Sequence, residues 1–227
     1  MASEVDIVNL ALSHLGDTAS VASLYPPEGS AQAEHGARFY PIARDSLLEM
    51  HMWNFSTTRA NLALLDVTMP EWNYVYASPN DLLNAIAVLP PEASDDYSAR
   101  IQPTDLYGYT TLSNLPFNWA GTYTPQPFTM ETLADGTQVV CTDQEQAVLR
   151  YTRLTTDTTQ FSPLFVMTLS WHLASMLAGP ILKGDVGAAE AKRCTQMMQA
   201  YMSQAETSDA NQRNIKPNQI VGWMAGR

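Results

Sequence analysis

Between Thr158 and Leu182 the chain carries no Asp, Glu, Lys or Arg. A stretch of that length has two destinations, a bilayer or the centre of a packed domain, and either one dictates what surrounds it. Length alone would allow a crossing, which takes about 20 residues. The stretch nevertheless holds Thr168, Ser170, His172, Ser175, Gly179 and two prolines, with no aromatic belt or basic flank at its first end. Such groups suit a helix enclosed by other helices. It is therefore read as a core helix, and no membrane partner is expected. Ser162 as cap and Pro163 at the first helical position set its start. Gly179-Pro180 ends or bends it after Ala178.

A core helix needs partners, and the sequence offers three. Ser3 with Asp6 three residues later predicts a capping box. Val5, Val8, Leu12 and Leu15 then follow on one helical face, and Gly16 stops the helix. After a loop over 17–29, a second helix is predicted from Ser30 to about His51, with Ala33, Ala37, Tyr40, Leu47 and Met50 on or near a shared face. Pro41 should kink it. The last helix starts near Asp185 and runs through Ala191, Cys194, Met198, Tyr201 and Ala205 into the polar run 207–212.

The middle of the chain reads differently. Trp53-Asn54-Phe55 alternates large and polar residues, and short strand-like pieces follow at Trp72–Ala77, Leu83–Leu89, Thr137–Thr142 and Ala147–Arg153. Prolines punctuate them, and Asp135-Gly136 is a plausible hairpin turn. Residues 107–128, rich in Tyr, Trp, Pro and Asn, have no helical period and read as a projecting loop or hairpin. The first two helices are too short to bury an apolar face alone, so the expectation is an α+β fold. A helical bundle from 1–65 and 160–210 brackets a β-rich insert at 66–159, which lies at one end of it, with an extended C-terminal arm at 211–227.

At 45% hydrophobic and 15% charged residues the chain can build a core of real size. Its net charge of −11 is uneven: residues 66–160 hold 12 acidic against 3 basic groups, while 161–227 hold 4 against 6. An acidic middle is a poor phosphate binder. It is either a solvated surface or a wall along which DNA slides without sticking. Cys141 and Cys194 match no zinc or thioredoxin spacing and are expected as buried free thiols. The N-terminus, with acids at Glu4 and Asp6, lacks the basic start of a secretory leader.

Motifs that carry chemistry are scarce. The chain has no Gly-rich phosphate loop, nucleophile elbow, His-Glu-x-x-His or Cys-x-x-Cys, so neither catalysis nor a cofactor is expected. A lone helical histidine such as His172 is more often a bonded core residue than a ligand. Asp95, Asp96, Asp105, Asp143 and Glu145 could serve a glycosidase, which needs only two placed carboxylates. Tyr107, Tyr109, Phe117, Trp119 and Tyr123 are either packed residues or anchors for a protein or a glycan. The strongest signal outside the core is the tail. Ile220, Val221, Trp223 and Met224 follow a polar, helix-ending run, with Arg213, Lys216 and Arg227 around them. A disordered terminus would be poorer in large apolar residues, so the tail either folds back or docks on a partner.

Several ordered segments together resemble the head-to-tail adaptor family of tailed phages, including the tail tubular protein A group. The N-terminal part is Ile7-Val8-Asn9-Leu10-Ala11-Leu12-Ser13-His14-Leu15-Gly16, then Ala33 and Tyr40-Pro41-Ile42-Ala43-Arg44-Asp45. It continues through Leu47-Leu48, Trp53-Asn54-Phe55-Ser56 and Arg59-Ala60-Asn61-Leu62-Ala63. Trp72-Asn73-Tyr74-Val75-Tyr76 with Pro79 and Asp81, Phe161-Ser162-Pro163-Leu164-Phe165, Leu173-Ala174 and the 205–210 stretch complete it. The resemblance covers about 150 of the 227 residues and is least evident over 92–140. It implies a structural virion protein of the tail or neck, assembled in the host cytoplasm as a ring of usually twelve copies. Such a ring joins the portal protein to the tail tube or nozzle, and DNA passes through it without specific binding. It also implies that the C-terminal arm (Arg213, Lys216, Ile220, Val221, Trp223, Met224, Arg227) reaches the portal. The 107–123 aromatics would then meet the next tail protein. A carbohydrate-binding or glycan-hydrolysing tail protein is the alternative.

Overall fold

The computed structural model describes residues 2–18, 20–91 and 126–212, and shows a mixed α+β chain. Its contacts divide it into two compact units, with the divides between 57 and 58 and between 152 and 153.

The first unit holds four α-helices: α1 (Glu4–His14), α2 (Ala31–Met50), α3 (Pro163–Leu182) and α4 (Gly184–Ala210). The local signals that start them are present as atoms. The Ser3 hydroxyl accepts from the Asp6 N–H at 3.2 Å, and the Asp6 carboxylate accepts from the Ser3 N–H at 2.9 Å. Ser30 accepts from the Ala33 N–H and Ser162 from the Phe165 N–H, each at 3.2 Å. The apolar face of α1 centres on Ile7, Val8, Ala11 and Leu12 and leaves Val5 half-buried. Helix α2 runs unbroken through Pro41, and Met50 points to solvent at 53% exposure rather than into the core. Helix α3 continues past Gly179-Pro180 to Leu182. A proline in a final turn removes only one hydrogen bond, so the helix ends one turn later than expected.

Helix α3 touches α1, α2 and α4. It is also the one described helix long and apolar enough to cross a membrane, and half of its most apolar window is buried inside the protein. Phe165, Leu169, Leu173, Ala174 and Leu177 are fully enclosed. Two histidines fasten it sideways. His14 Nε2 lies 3.0 Å from Ser170 Oγ, and His172 Nε2 lies 3.0 Å from Ser46 Oγ. His14 also stacks on Trp171 with ring centroids 3.6 Å apart, and Arg193 of α4 donates to the His14 carbonyl at 2.8 Å while lying 5.3 Å from the Trp171 ring centre. Between α3 and α4 only Lys183 is non-helical, with φ of +54°. This abrupt turn brings Gly187 against α3, where a Cβ would sit 2.8 Å from the Ala178 carbonyl oxygen.

The second unit is built of strands. One sheet has the order β1 (Thr57–Asn61), β7 (Val148–Arg153), β4 (Leu82–Leu89). The other has the order β2 (Ala63–Leu64), β3 (Tyr74–Ala77), β6 (Gln138–Thr142), β5 (Phe128–Thr132), with antiparallel pairs Leu64↔Tyr76, Tyr76↔Val140 and Met130↔Val140. Tyr76, Val88, Val140, Leu149 and Tyr151 form a core drawn from both sheets. Val75, Val139 and Cys141 point to the opposite face of the four-stranded sheet, beneath Leu65, Met69, Trp72 and Leu133. The β5–β6 hairpin turns at Asp135-Gly136, where Gly136 takes φ of +86° and Asp135 accepts from the Thr137 N–H at 2.9 Å. Strands β1 and β2 fall inside the stretch read as helical (1–65), so the strand-bearing part starts earlier than expected. Trp72 precedes β3, in an isolated bridge with Met69. Both cysteines are buried and unpaired, and burial raises each thiol's pKa.

Two outcomes follow from this packing. Burial lowers the pKa of His14 and of His172, with Arg193 adding to the effect at His14. The unfolded chain therefore binds more protons than the folded one as pH falls through the ordinary histidine value of about 6.5. The stability that these rings contribute is complete above that value and is lost below it. The melting temperature should be lower at pH 5.5 than at pH 7.5, and the gap should shrink in a His14→Gln, His172→Gln double variant. Gly187→Ala forces a methyl into the Ala178 carbonyl and should cost about 1–3 kcal/mol in chemical denaturation.

Candidate functional site

The residues singled out from sequence for docking, Arg213, Lys216, Ile220, Val221, Trp223, Met224 and Arg227, lie outside the described residues, as do Tyr107, Tyr109, Phe117, Trp119 and Tyr123. The same holds for Asp95, Asp96 and Asp105. Of the remaining glycosidase candidates, Asp143 accepts from the Asn73 backbone N–H at 3.1 Å and from its side chain at 2.9 Å, which fixes a turn. Glu145 lines a shallow groove of about 390 Å³ with Tyr74, Tyr76 and Asn61. Among the described residues no group of three or more His, Cys, Asp or Glu side chains could hold a metal ion.

The arrangement that sequence reading missed is in the helical unit, at the C-terminal end of α4. Asp209 lies in the last turn of α4 and is only 6% exposed. A carboxylate there opposes the helix dipole, whose negative end is at the C-terminus, and burial adds a desolvation cost. Three contacts offset these terms. The Asn54 backbone N–H donates to both carboxylate oxygens, at 3.1 and 3.2 Å. His51 Nε2 lies 3.3 Å from Asp209 Oδ2. The Asn54 side-chain amide donates to the Asp209 carbonyl at 2.6 Å, so one asparagine binds this residue through both its backbone and its side chain.

The turn that supplies these donors is itself held rigidly. Trp53 is 1% exposed, donates from Nε1 to the Leu47 carbonyl at 3.0 Å, and meets Phe165 edge-on at 5.0 Å. Phe55 packs on Phe161 at 5.7 Å and on Phe165 at 5.1 Å. The Ser56 and Thr57 hydroxyls both donate to the Trp53 carbonyl, at 3.1 and 2.8 Å. Aromatic packing on α3 thus positions Asn54, and Asn54 positions the end of α4. Beyond it, the Asn211 N–H donates to the Thr207 carbonyl at 3.2 Å and Gln212 to that of Asp209 at 3.1 Å. The end of α4 is therefore fixed in place.

The site ties the last turn of α4 to the turn after α2 through one asparagine and one carboxylate. The signal that could have revealed it is an acid in the last turn of a helix, a position that electrostatics disfavours without a partner. Asp209→Ala should cost about 1–3 kcal/mol, because it removes the acceptor of two hydrogen bonds from the half-buried Asn54 N–H. Asn54→Ala keeps the backbone donor and should cost less, about 1 kcal/mol, both read by urea unfolding. No protein-family model matches the chain, and no curated protein matches it.

Proposed function

We propose that the chain is a structural adaptor of a phage particle, forming a ring that joins the portal to the tail tube and continues the DNA channel. In this reading α1, α2, α3 and α4 make up a bundle assembled from the two ends of the chain, with the β-rich unit as the insert between them. The arm beyond residue 212 docks on the portal. No catalytic step is required. Assembly is the function, with ordering of the arm on its partner supplying coupled folding and binding. Ring closure would need a heterologous contact whose rotation closes.

The observation that carries this reading is the Asn54–Asp209 contact. Residues 53–56 and 205–210 are two segments of the resemblance that are far apart in sequence, and they meet at the root of the arm. A docking arm transmits force to its body only if its root is held, and this contact holds it. Removing residues 211–227 should leave a chain that still melts cooperatively but no longer binds the portal ring. Undiminished binding by the truncated chain in co-sedimentation would count against the reading.

A further inference from the structure

Helix α2 keeps its course through Pro41, although a proline inside a helix removes one hydrogen bond and crowds the carbonyl four residues back. That carbonyl belongs to Ala37, and it has a donor from outside the helix. The Tyr25 hydroxyl donates to it at 3.1 Å. Tyr25 lies in the connection between α1 and α2, so the gap in α2 is filled from the segment that leads into it.

The connection is fastened on both sides of Tyr25. Toward α1, the Asn9 side chain donates to the Val21 carbonyl at 2.9 Å and accepts from the Val21 N–H at 2.8 Å. Toward α2, the Glu28 carboxylate accepts from the Ala22 N–H at 2.8 Å and from the Ser30 hydroxyl at 2.9 Å. Leu24 is buried against Gly36, where a Cβ would sit 3.1 Å from Leu24 Cδ2 and 2.9 Å from Val8 Cγ1. Gly36 thus lets one residue of α1 and one of the connection reach the same point on α2. Elsewhere α1 and α2 each pack mainly on α3 and touch one another little.

We infer that residues 20–30 are a strap that ties α1 to α2, and that the carbonyl freed by Pro41 is the catch on which Tyr25 closes it. Tyr25 is 58% exposed, so solvent can replace its hydroxyl at the carbonyl when the strap lifts. The strap therefore opens without unwinding α2. This inference is independent of the adaptor reading.

The test follows hydrogen exchange at the Val21 and Ala22 amides by NMR, in the full chain and in Tyr25→Phe, Pro41→Ala and the double variant. Tyr25→Phe keeps the ring and removes only the hydroxyl. It should speed exchange at both amides about fivefold, the size of one neutral hydrogen bond, and leave the Leu173 amide of α3 unchanged. Pro41→Ala supplies an N–H that takes the Ala37 carbonyl, so adding Tyr25→Phe to it should change exchange by less than about twofold. Equal acceleration with and without the proline would show that the hydroxyl acts elsewhere and overturn the inference. No acceleration by Tyr25→Phe in the otherwise unchanged chain would overturn it too.

Discussion

Everything in the helical unit is arranged around the enclosure of α3. A helix without charged side chains gains nothing from water, and the apolar faces of α1, α2 and α4 are placed to cover it. Its hydroxyls are the exception that makes enclosure affordable. Thr168 donates to the Leu164 carbonyl at 2.8 Å, Ser170 to Met167 at 2.8 Å and Ser175 to His172 at 2.6 Å. Each is satisfied within its own helix, so its burial carries no penalty for a missing partner. Ser170 and His172 then have capacity left for His14 and Ser46 on the neighbouring helices.

What could be read from sequence follows the range over which each signal acts. Capping is decided within four residues, so Ser3 with Asp6, Ser30 and Ser162 were legible directly. The Asp135-Gly136 turn was legible for the same reason. The strands at 82–89, 138–142 and 148–153 lie within one residue of the expected runs, carried by apolar, β-branched composition between turn signals. Which faces are covered was harder to read. Val139, Val140 and Cys141 are all buried, because the four-stranded sheet is covered on both faces, and the alternation that marks a half-buried strand disappears. Strand β2 has only two residues and exists through its pairing with β3. Met50 fits the apolar period of α2 but is the last residue of that helix and is exposed, so periodicity alone misplaces it.

The Asn54–Asp209 contact was invisible for a different reason. Its partners are 155 residues apart, and neither flanking segment has a pattern that calls for the other. It becomes intelligible only with α3 in place, because Phe165 and Phe161 hold the Trp53–Phe55 turn against that helix. The dependence runs one way. An uncharged helix gathers the aromatic turn, the turn aims an amide and a backbone N–H, and these hold a carboxylate that would otherwise be out of place at a helix C-terminus.

The acidity of the middle segment also changes meaning once its carboxylates are placed. Asp81 accepts from the Tyr151 hydroxyl at 2.9 Å, Asp143 binds Asn73, and Asp135 closes the β5–β6 turn. Hydrogen bonds from Thr137 hold the Asp135 pKa below its usual value. Part of the negative charge in this segment is thus committed to fixing turns and strand ends, where a short acceptor is needed beside a backbone N–H or a hydroxyl. A segment can therefore be rich in acids because its turns require them. Net charge alone does not distinguish that cause from selection for a repulsive wall. Local hydrogen bonding already accounts for these three acids, two in turns and one on a strand tyrosine, without invoking DNA.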